Sequence, residues 1–451
     1  MRAERASLCE LGLLPDAANH WPLATWLDST HSRPAHDALK RLVNSPLGDL
    51  TELSSRQVLL PELASFAQHV AWKELQVLAA QVACFLSSNY ELVPQTVIER
   101  AYFAVRYRDI VRDVSTQLRA VDALLTLSAQ VHSRLAILSA DSAFGTVVAA
   151  FAAATEDSRR EPLRLAVARG HTMSLIALDA SVRAKRVPAG QHITNSVPFS
   201  AVLQSLVEAT WQLDAFCSLA TASAAVGGVI PDMVPRGAAS MTFEGVRHPL
   251  LPTGVQNDLQ LAANERVLFL TGPNMAGKST LLRAIGIATY CAHLGMAVAA
   301  RAACIPLHDR LMVSITVRDS LQRGESLYLA EIRRVRAVVE AVERGDAVVA
   351  IFDEVFRGTN IKDATQATSL LVGGLAKALH GTFVIASHFA DVAVAHEDRA
   401  GVACWQMDVD VAGESPAFTH RVRRGVSDVH LGMLLLDAEG VGPILRRMAS
   451  Y

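Results

Sequence analysis

The sequence lacks several features that would place a protein in a specialised class. Only 6% of its 451 residues are aromatic, and no apolar run reaches the roughly 20 residues of a membrane span. Six cysteines lie far apart without a C-x-x-C pair, which excludes common zinc-ribbon spacings and is typical of unpaired thiols in a reducing cytosol. The N-terminus has no long apolar segment, so we expect no secretory signal and predict a cytoplasmic protein without membrane contact.

An excess of charge of one sign is also missing. Lys and Arg total 42 against 44 Asp and Glu, so the net charge is −2 and the pI is about 6.7. Global electrostatics therefore gives no reason to expect nucleic acid, and any such surface would have to be a local basic patch. Hydrophobic residues are abundant, at 51%, and a chain of this length can bury large cores in about two to four domains.

The chain changes character near residue 245. From about Leu39 to Ala225, apolar residues recur at helical spacing. Breaks are expected at Pro46–Gly48, Asn89–Pro94, Thr155–Pro162 and Val187–Pro198. Beyond residue 245, short apolar strands alternate with helices, which is typical of a parallel sheet covered on both faces. We therefore predict an all-α domain over residues 1–240 and an α/β domain over residues 241–451.

The order of strands and helices in the α/β domain can be predicted from its apolar pattern. The predicted strands are Val267–Thr271, Ala347–Phe352 and Thr382–Ala386, the predicted helices are Lys278–Ala299, Tyr328–Glu343 and Asp363–Leu379, and Gly401–Val409 with Ala417–Arg423 form a predicted antiparallel pair.

A phosphate-binding loop lies between the first of these strands and the helix that follows. Residues 272–280, GPNMAGKST, satisfy the phosphate-loop pattern G-x-x-x-x-G-K-[ST]. The alternative without a binding role is a glycine-rich turn that contains a lysine by chance. Two glycines let the loop amides point inward at a phosphate, Lys278 can reach the β- and γ-phosphates, and the Ser279 hydroxyl can bind Mg²⁺. The expected nucleotide-binding residues are Gly272, Pro273, Asn274, Met275, Ala276, Gly277, Lys278, Ser279 and Thr280.

Two further strand ends carry polar groups. An apolar strand delivers Asp353 and Glu354, where Asp353 fits a Mg²⁺ ligand and Glu354 a general base that polarises the attacking water. A charged strand end without catalytic role is the alternative. His388 follows the next apolar strand and can contact a γ-phosphate or the water, although a single histidine at a strand end is usually incidental.

These motifs together resemble the MutS mismatch-repair ATPases. The segments that carry the resemblance are GPNMAGKST (272–280), RGESLYLAEI (323–332), FDEVFRGTNIKDA (352–364), ASHF (386–389), RHPLL (247–251) and HRVRRGVSDVHLG (420–432). Residues 27–47 and SSRQ (54–57) resemble, less closely, the start of the family's helical core and lever domain. The resemblance implies a helical core/lever domain followed by an ABC-type P-loop ATPase domain that dimerises around shared nucleotide sites.

The resemblance also implies roles for individual residues. Ser326 would reach the γ-phosphate bound by the other subunit, Asp363 would lie in the loop that crosses the dimer interface, His388 would sense the γ-phosphate, and His420 would contact the adenine. The alternatives without a catalytic or binding role are that Ser326 caps the helix that follows and that His420 is a surface residue of a strand. The implied catalytic residues are Glu354, His388, Lys278 and Ser326, with ATP and Mg²⁺ as cofactors and Ser279 and Asp353 as metal ligands.

The sequence departs from the family pattern in ways that restrict the expected function. The lever motif begins within the first 30 residues, so we expect neither a mismatch-reading nor a connector domain, and we expect no mismatch wedge of the Phe-x-Glu type. Basic residues between Arg100 and Arg186 alternate with acids, which favours a solvated face over a DNA-contacting stripe. Ala276 and Phe356 replace family glycines, and Gly254 stands where an aromatic is expected to stack on adenine.

We therefore expect a MutS-like enzyme that hydrolyses ATP to ADP and phosphate with Mg²⁺. It would act on DNA in repair or recombination as a nucleotide-dependent homodimer, or as a heterodimer with a related protein, without classical mismatch reading. The alternatives are a nucleotide-gated dimeric scaffold, or protein-interaction ATPase, that binds no DNA, and an ABC-type motor for a process such as transport. The MutS-type motifs and the lack of a membrane segment count against the transport motor.

Overall fold

The structure is a computed structural model that describes much of the chain in two units. The described residues are 1–13, 26–87, 102, 106, 108–135, 138, 142–157, 163–164, 199–237, 240–251, 253–315, 327–410, 417–426 and 440–449. Unit 1 comprises Met1–Leu27, Val43–Gln57 and Ser223–Tyr451, and unit 2 comprises Asp28–Leu42 and Val58–Ala222. No helix within these described residues is long and apolar enough to cross a membrane.

Helices occur in both units. They are α1 (Arg5–Glu10), α2 (Arg33–Val43), α3 (Leu50–Ala67), α4 (Trp72–Ser87), α5 (Arg108–Leu135), α6 (Ser142–Glu156), α7 (Phe199–Ala225), α8 (Lys278–His293), α9 (Leu327–Glu343), α10 (Ile361–Leu375), α11 (Ala390–His396) and α12 (Val441–Ala449).

Unit 1 is built on a seven-stranded sheet in the order β1-β7-β8-β9-β5-β10-β11. Its strands are β1 (Arg2–Ala3), β5 (Val267–Thr271), β7 (Arg310–Ser314), β8 (Val348–Asp353), β9 (Thr382–Ser387), β10 (Val402–Asp410) and β11 (Ala417–Arg424). All neighbouring pairs are parallel except β10 with β11, which are antiparallel. The predicted mixed α/β architecture with a parallel sheet is confirmed in this unit.

Both faces of this sheet are covered, as the continuous apolar strands predict. One face carries Phe269, Phe352 and Phe383 into a core shared with helices α9, α10 and α11. Ile351, one residue away from Phe352, points to the other face, because a Cβ added at Gly286 of α8 would lie 3.0 Å from its Cδ1. Side chains therefore alternate between two layers along β8, which fixes α8 on one side of the sheet and α9 on the other.

A second, four-stranded sheet in unit 1 has the order β2-β6-β3-β4. Its strands are β2 (Asp232–Val234), β3 (Thr242–Val246), β4 (Asn257–Gln260) and β6 (Ala302–Pro306). Strand β3 pairs antiparallel with both β4 and β6. This sheet positions Asn257 against His420 of β11, since the Asn257 side chain donates to the His420 carbonyl oxygen at 3.1 Å.

Two predicted helices end earlier than the apolar pattern indicated. Helix α8 ends at His293 and not at Ala299, because Gly295 has a φ of +76° and the Met296 amide bonds back to the Cys291 carbonyl oxygen. This is the usual glycine-centred termination of a helix. Helix α10 covers Ile361–Leu375, not Asp363–Leu379, and its start is capped by Asn360, whose side chain accepts from the Asp363 amide.

The elements described in unit 2 are helices. Helix α5 packs against both α4 and α6, as the run of helical periodicity between Leu39 and Ala225 predicts. A polar cluster ties residues 28–36 to α7, because the His31 amide and Nδ1 both contact the buried Asp214 carboxylate, at 2.8 and 3.0 Å. The predicted breaks Asn89–Pro94 and Val187–Pro198 lie outside the described residues, as does most of Thr155–Pro162.

The first residues of the chain belong to unit 1, which differs from the predicted division into 1–240 and 241–451. Strand β1 pairs in parallel with β7, and the Ser7 hydroxyl accepts from the Val313 amide at 2.8 Å. Leu11 packs so closely over α8 that a Cβ at Gly286 would lie 2.6 Å from its Cδ2. These contacts join residues about 300 positions apart, a separation at which local patterns carry no information.

Candidate nucleotide-binding site

The strand ends that carry the predicted site residues meet at one edge of the main sheet. Strand β5 lies beside β9, which lies beside β8, and all three are parallel. In this register Thr271 pairs with Ser387, and Asp353 pairs with Ala386. The loop after β5, the acids after β8 and the histidine after β9 are therefore brought together at the carboxyl edge of the sheet, the usual ligand-binding edge of such sheets.

The loop between β5 and α8 has the backbone geometry of a phosphate cradle. Gly272, Met275 and Gly277 have φ values of +147°, +70° and +101°. Gly272 is required for space as well as conformation, since a Cβ there would lie 2.8 Å from Cβ of Met407 on β10. Residues 272–277 thus turn back sharply and lead into the N-terminus of α8, where free amides and the helix dipole attract anions.

Lys278 is buried at the base of this loop, with 5% of its surface exposed. Its Nζ donates to the carbonyl oxygens of Gly272 and Pro273, at 2.7 and 3.1 Å. Nζ also lies 3.8 Å from Oε1 of Glu354. Burial lowers the pKa of Lys278, while the neighbouring carboxylates of Glu354 and Asp353 act in the opposite direction. The ammonium is therefore confined to the loop interior, next to the strand that carries the acids.

Ser279 and Asp353 are joined by a hydrogen bond from the serine hydroxyl to Oδ2 of the carboxylate. Burial raises the pKa of Asp353, and the Ser279 hydroxyl opposes that rise. A hydroxyl and a carboxylate are hard oxygen donors of the kind that Mg²⁺ prefers. The two side chains predicted as metal ligands are thus in contact, although they lie 74 positions apart in the sequence.

Glu354 follows β8 in a left-handed backbone conformation, with a φ of +52°. Its amide donates to the Ala386 carbonyl oxygen of β9 at 2.8 Å, and its carboxylate lies 3.3 Å from a guanidinium nitrogen of Arg357. The side chain is about 15% exposed, so it is reachable from solvent while flanked by Lys278 and Arg357. The ion pair with Arg357 was not anticipated from the sequence, although the i, i+3 spacing was there to indicate it.

His388 lies just beyond the buried end of β9 and is exposed. Its ring packs against Phe389, with ring centroids 4.3 Å apart. The register of β9 with β5 and β8 places this residue at the same sheet edge as the loop and the acids. Ser326 and residues 323–325 of the signature segment lie outside the described residues, whereas Asp363 lies in the first turn of α10.

A pocket of about 280 Å³ opens beside the phosphate loop. Its lining includes Val246, Arg247, His248, Leu251, Thr253, Gly254, Val255, Asn257, Met275, Gly277, Thr280, Leu281, Ala284 and His420. Nδ1 of His420 donates to the Ala276 carbonyl oxygen at 3.0 Å, so the ring contacts the loop directly. The RHPLL segment, Gly254 and His420, which the sequence singled out separately, therefore converge on one cavity.

Sequence reasoning assigned no role to Asn257 or Glu331 in this region. Asn257 brackets His420 through hydrogen bonds to the His420 carbonyl oxygen and the Val422 amide. Glu331 lies buried under the loop that follows Glu354. A single Asn between a loop and a strand carries no signal by itself. Glu331 belongs to the segment 323–332 that carries the family resemblance, and it interrupts an otherwise apolar stripe of α9.

The parallel sheet, the glycine-rich loop and the acids at the end of β8 define this unit as a P-loop domain. Residues 268–444 match the family model described as MutS domain V. Among curated proteins, the DNA mismatch repair protein MutS of Granulibacter bethesdensis is 30% identical over 219 residues, and that of Pseudothermotoga lettingae is 28% identical over 247 residues. The chain is thus similar to MutS proteins, and its residues 268–444 resemble domain V of that family.

The matches cover only part of each protein. The Granulibacter alignment includes 47% of this chain and 23% of its relative, and the Pseudothermotoga alignment includes 54% and 30%. The MutS protein of Listeria welshimeri, 26% identical over 255 residues, is covered to 29%. This chain therefore spans less than a third of the length of these relatives.

Proposed function

We propose that this protein binds and hydrolyses ATP with Mg²⁺, and that it does so as a MutS-like dimer that acts on DNA. The observation that supports the ATPase most directly is the convergence of four side chains. Ser279 contacts Asp353 through a hydrogen bond, and Lys278 lies 3.8 Å from Glu354. A cation for the phosphates, two metal ligands and a candidate base are thus assembled from two separate motifs.

Each group has a role that its position supports. The loop amides and Lys278 would bind the β- and γ-phosphates. Lys278 Nζ would then donate to phosphate oxygens in place of the loop carbonyl oxygens to which it donates in this structure. Glu354 would orient and deprotonate the attacking water, and His388 would contact the γ-phosphate or that water. Across the dimer, Ser326 would reach the γ-phosphate bound by the partner, a role carried over from the family resemblance alone.

The residues present suit a magnesium ion. Ser279 and Asp353 would hold it, and their direct contact shows that both oxygens face the same point beside the loop. When bound, Mg²⁺ would neutralise charge on the β- and γ-phosphate oxygens. No group of three or more His, Cys, Asp or Glu side chains suited to a metal occurs among the described residues, which is consistent with an ion completed by phosphate and water.

The base would occupy the pocket between Gly254 and His420. A volume of about 280 Å³ suits a purine, and the pocket adjoins the loop at Gly277. Gly254 leaves one wall without the aromatic side chain expected from the family pattern, so the His420 ring would provide the main stacking surface. This arrangement supports adenine binding through one aromatic face.

The ATPase proposal is tested with the full chain and a Glu354→Gln variant. We expect the unmodified protein to release phosphate from ATP when Mg²⁺ is present and to stop when it is chelated. In the variant, phosphate release should fall by about 100-fold or more, because a general base contributes roughly that factor. Nucleotide retention on a filter should persist, and light scattering should show a stable ATP-bound dimer.

Glu343→Gln, at the exposed end of α9, is the matched control and should hydrolyse ATP normally. Unchanged turnover in Glu354→Gln would contradict the role of this residue as the base. If neither protein retained ATP, the ATPase proposal itself would be lost.

A further inference from the structure

The first residues of the chain run along the outer edge of β7. The short strand β1 pairs with the beginning of β7, and α1 follows along the same edge. Beyond β1, the Val313 amide donates to the Ser7 hydroxyl at 2.8 Å, and the Ile315 amide donates to Oε2 of Glu10. Amides two residues apart on a strand face the same edge, so two side chains of α1 take the place of a neighbouring strand.

The Glu10 carboxylate also contacts helix α9. Its second oxygen, Oε1, accepts from the Arg334 guanidinium, which in addition donates to the Ser314 hydroxyl at 3.3 Å. The Glu10 side chain is 9% exposed and that of Arg334 is 34% exposed. A carboxylate so far removed from water requires donors, and a cation is the strongest of them. The carboxyl end of β7 and helix α9 are therefore joined through one side chain.

The backbone of Glu10 contacts a third element. Nε of Arg283, on α8, donates to the Glu10 carbonyl oxygen at 3.3 Å. Helices α8 and α9 lie on opposite faces of the main sheet, so Glu10 links both layers at the edge of that sheet. We call the contacts of Glu10 with Ile315, Arg334 and Arg283 the Glu10 junction. A change of the Glu10 side chain would leave the contact with α8, the helix that follows the phosphate loop, in place.

The part of β7 held by this junction lies beside the candidate metal site. In the register of β7 with β8, Ser314 is opposite Phe352, the residue before Asp353. In the sequence, residues 316–326 connect Ile315 to α9. The Glu10 junction thus fixes an end of β7 near Asp353 from a position 305 residues earlier in the chain.

We propose that Glu10 is a positioning residue for ATP hydrolysis, which holds the carboxyl end of β7 against α9 and so keeps this edge of the sheet in place beside Asp353. It acts through β7 and α9 and not through contact with the reacting groups. The kinetic part of this inference rests on the proposed ATPase function, whereas the junction itself does not.

The junction is tested first by hydrogen exchange, without reference to activity. In Glu10→Ala the Ile315 amide loses a charged acceptor, so exchange in a peptide covering residues 307–315 should be about tenfold faster or more. Glu10→Gln keeps an acceptor oxygen and should stay within about threefold of the unmodified protein. Glu4→Ala, at an exposed position just before α1, is the matched control and should leave the peptide unchanged. Unchanged exchange in Glu10→Ala, or equal acceleration in Glu4→Ala, would overturn the junction.

The link to α9 is tested by adding Arg334→Ala. This change removes a cation from the Glu10 carboxylate and should lower the midpoint of denaturant unfolding. Because the two side chains act as one unit, Glu10→Ala combined with Arg334→Ala should have a midpoint close to that of Glu10→Ala alone. Losses that simply add would mean that Glu10 and Arg334 stabilise the fold separately, against the proposal.

The kinetic consequence separates positioning from a purely structural role. For Glu10→Ala we expect kcat for ATP hydrolysis to fall about tenfold while KM stays within about twofold, because the contact with α8 is retained, and Glu10→Gln should restore most of kcat. Ser7→Ala also removes an acceptor from a β7 amide, but it leaves the contact between Glu10 and α9 intact, so its kcat should stay within about twofold.

Two results would reduce Glu10 to a stabiliser of the sheet edge: an equal loss of kcat in Ser7→Ala, or a lowered melting temperature of Glu10→Ala with unchanged kcat. If the unmodified protein hydrolysed no ATP, the proposed function would fail, whereas the exchange and unfolding experiments would still decide whether Glu10 joins β7 to α9.

Discussion

His420 in the candidate base pocket is bonded both to the phosphate loop, through the Ala276 carbonyl oxygen, and to the side chain of Asn257 from the second sheet. Its backbone is left-handed, with a φ of +55°, and Asn257 donates to its carbonyl oxygen at 3.1 Å while accepting from the Val422 amide at 2.9 Å. Asn257 is 7% exposed, so these bonds are shielded from water. At the scale of residues, the orientation of the ring that would stack on the base is supported by the Asn257 side chain, which also lines the pocket.

This dependence can be measured by a double-mutant cycle. Asn257→Leu removes both hydrogen bonds at similar size, and we expect ATP affinity, measured with a fluorescent analogue, to weaken about fivefold to tenfold. His420→Asn removes the ring but tolerates the left-handed backbone, and should weaken affinity similarly. The double variant should bind about as weakly as His420→Asn alone, because the two residues act as one unit. Additive losses would show that Asn257 and His420 act independently.

Sequence reasoning succeeded at the scale of elements where the determinants are local. Local sequence is enough to specify the apolar strands β5, β8 and β9 and the phosphate-binding loop of residues 272–280. The three strands begin and end within one or two residues of the predicted bounds. Positions that depend on distant partners were not predictable. Asn257, for example, bonds to β11, about 160 residues later in the chain, and no local pattern indicates that contact. The end of α8 was missed because Gly295 outweighs the apolar pattern that continues beyond it.

The end of α8 also carries a buried, neutral histidine. His293 is fully buried, its Nδ1 donates to the Leu47 carbonyl oxygen at 2.8 Å, and its Nε2 accepts from the His308 amide at 3.4 Å. A proton on Nε2 would face that amide proton. Burial lowers the pKa of His293 to about 4, and burial also lowers the pKa of the neighbouring His308.

The shift at His293 predicts loss of stability in mild acid. A histidine whose pKa is lower in the folded state stabilises the fold fully above its unfolded pKa, near 6.5, and this contribution is lost as pH falls towards about 4. Between pH 7 and pH 5, His293 alone should reduce the free energy of unfolding by roughly 2 kcal/mol. Denaturant unfolding of His293→Asn should show a correspondingly smaller decrease over this range. Substitution of the exposed His69 by Asn is the control, and an unaltered pH dependence in His293→Asn would exclude the buried ring as its source.

At the scale of the whole molecule, the net charge and the similarity to known proteins give opposite indications about DNA binding. The net charge of −2 gives no general attraction for DNA, while the relatives that match about half of this chain are named as DNA mismatch repair proteins. Most of the basic residues between Arg100 and Arg186 lie outside the described residues, so no surface patch decides the question. Dependence of binding on salt does decide it, because each phosphate neutralised by Lys or Arg contributes to the slope.

We expect the full chain to bind duplex or junction DNA with an affinity that falls as salt rises and that changes with nucleotide. With about four phosphate contacts, the logarithm of the association constant should fall with the logarithm of salt concentration at a slope of roughly −3 to −4. Fluorescence anisotropy at several salt concentrations, with ATP, with ADP and with neither, gives this slope. Mismatched and matched duplexes should bind alike, because the one Phe-x-Glu match in the sequence, residues 352–354, lies at the end of β8 in the candidate nucleotide-binding site. A slope near zero without nucleotide response would reject DNA as the partner and favour a nucleotide-gated scaffold, whose ATP-dependent dimer would still form under the same conditions.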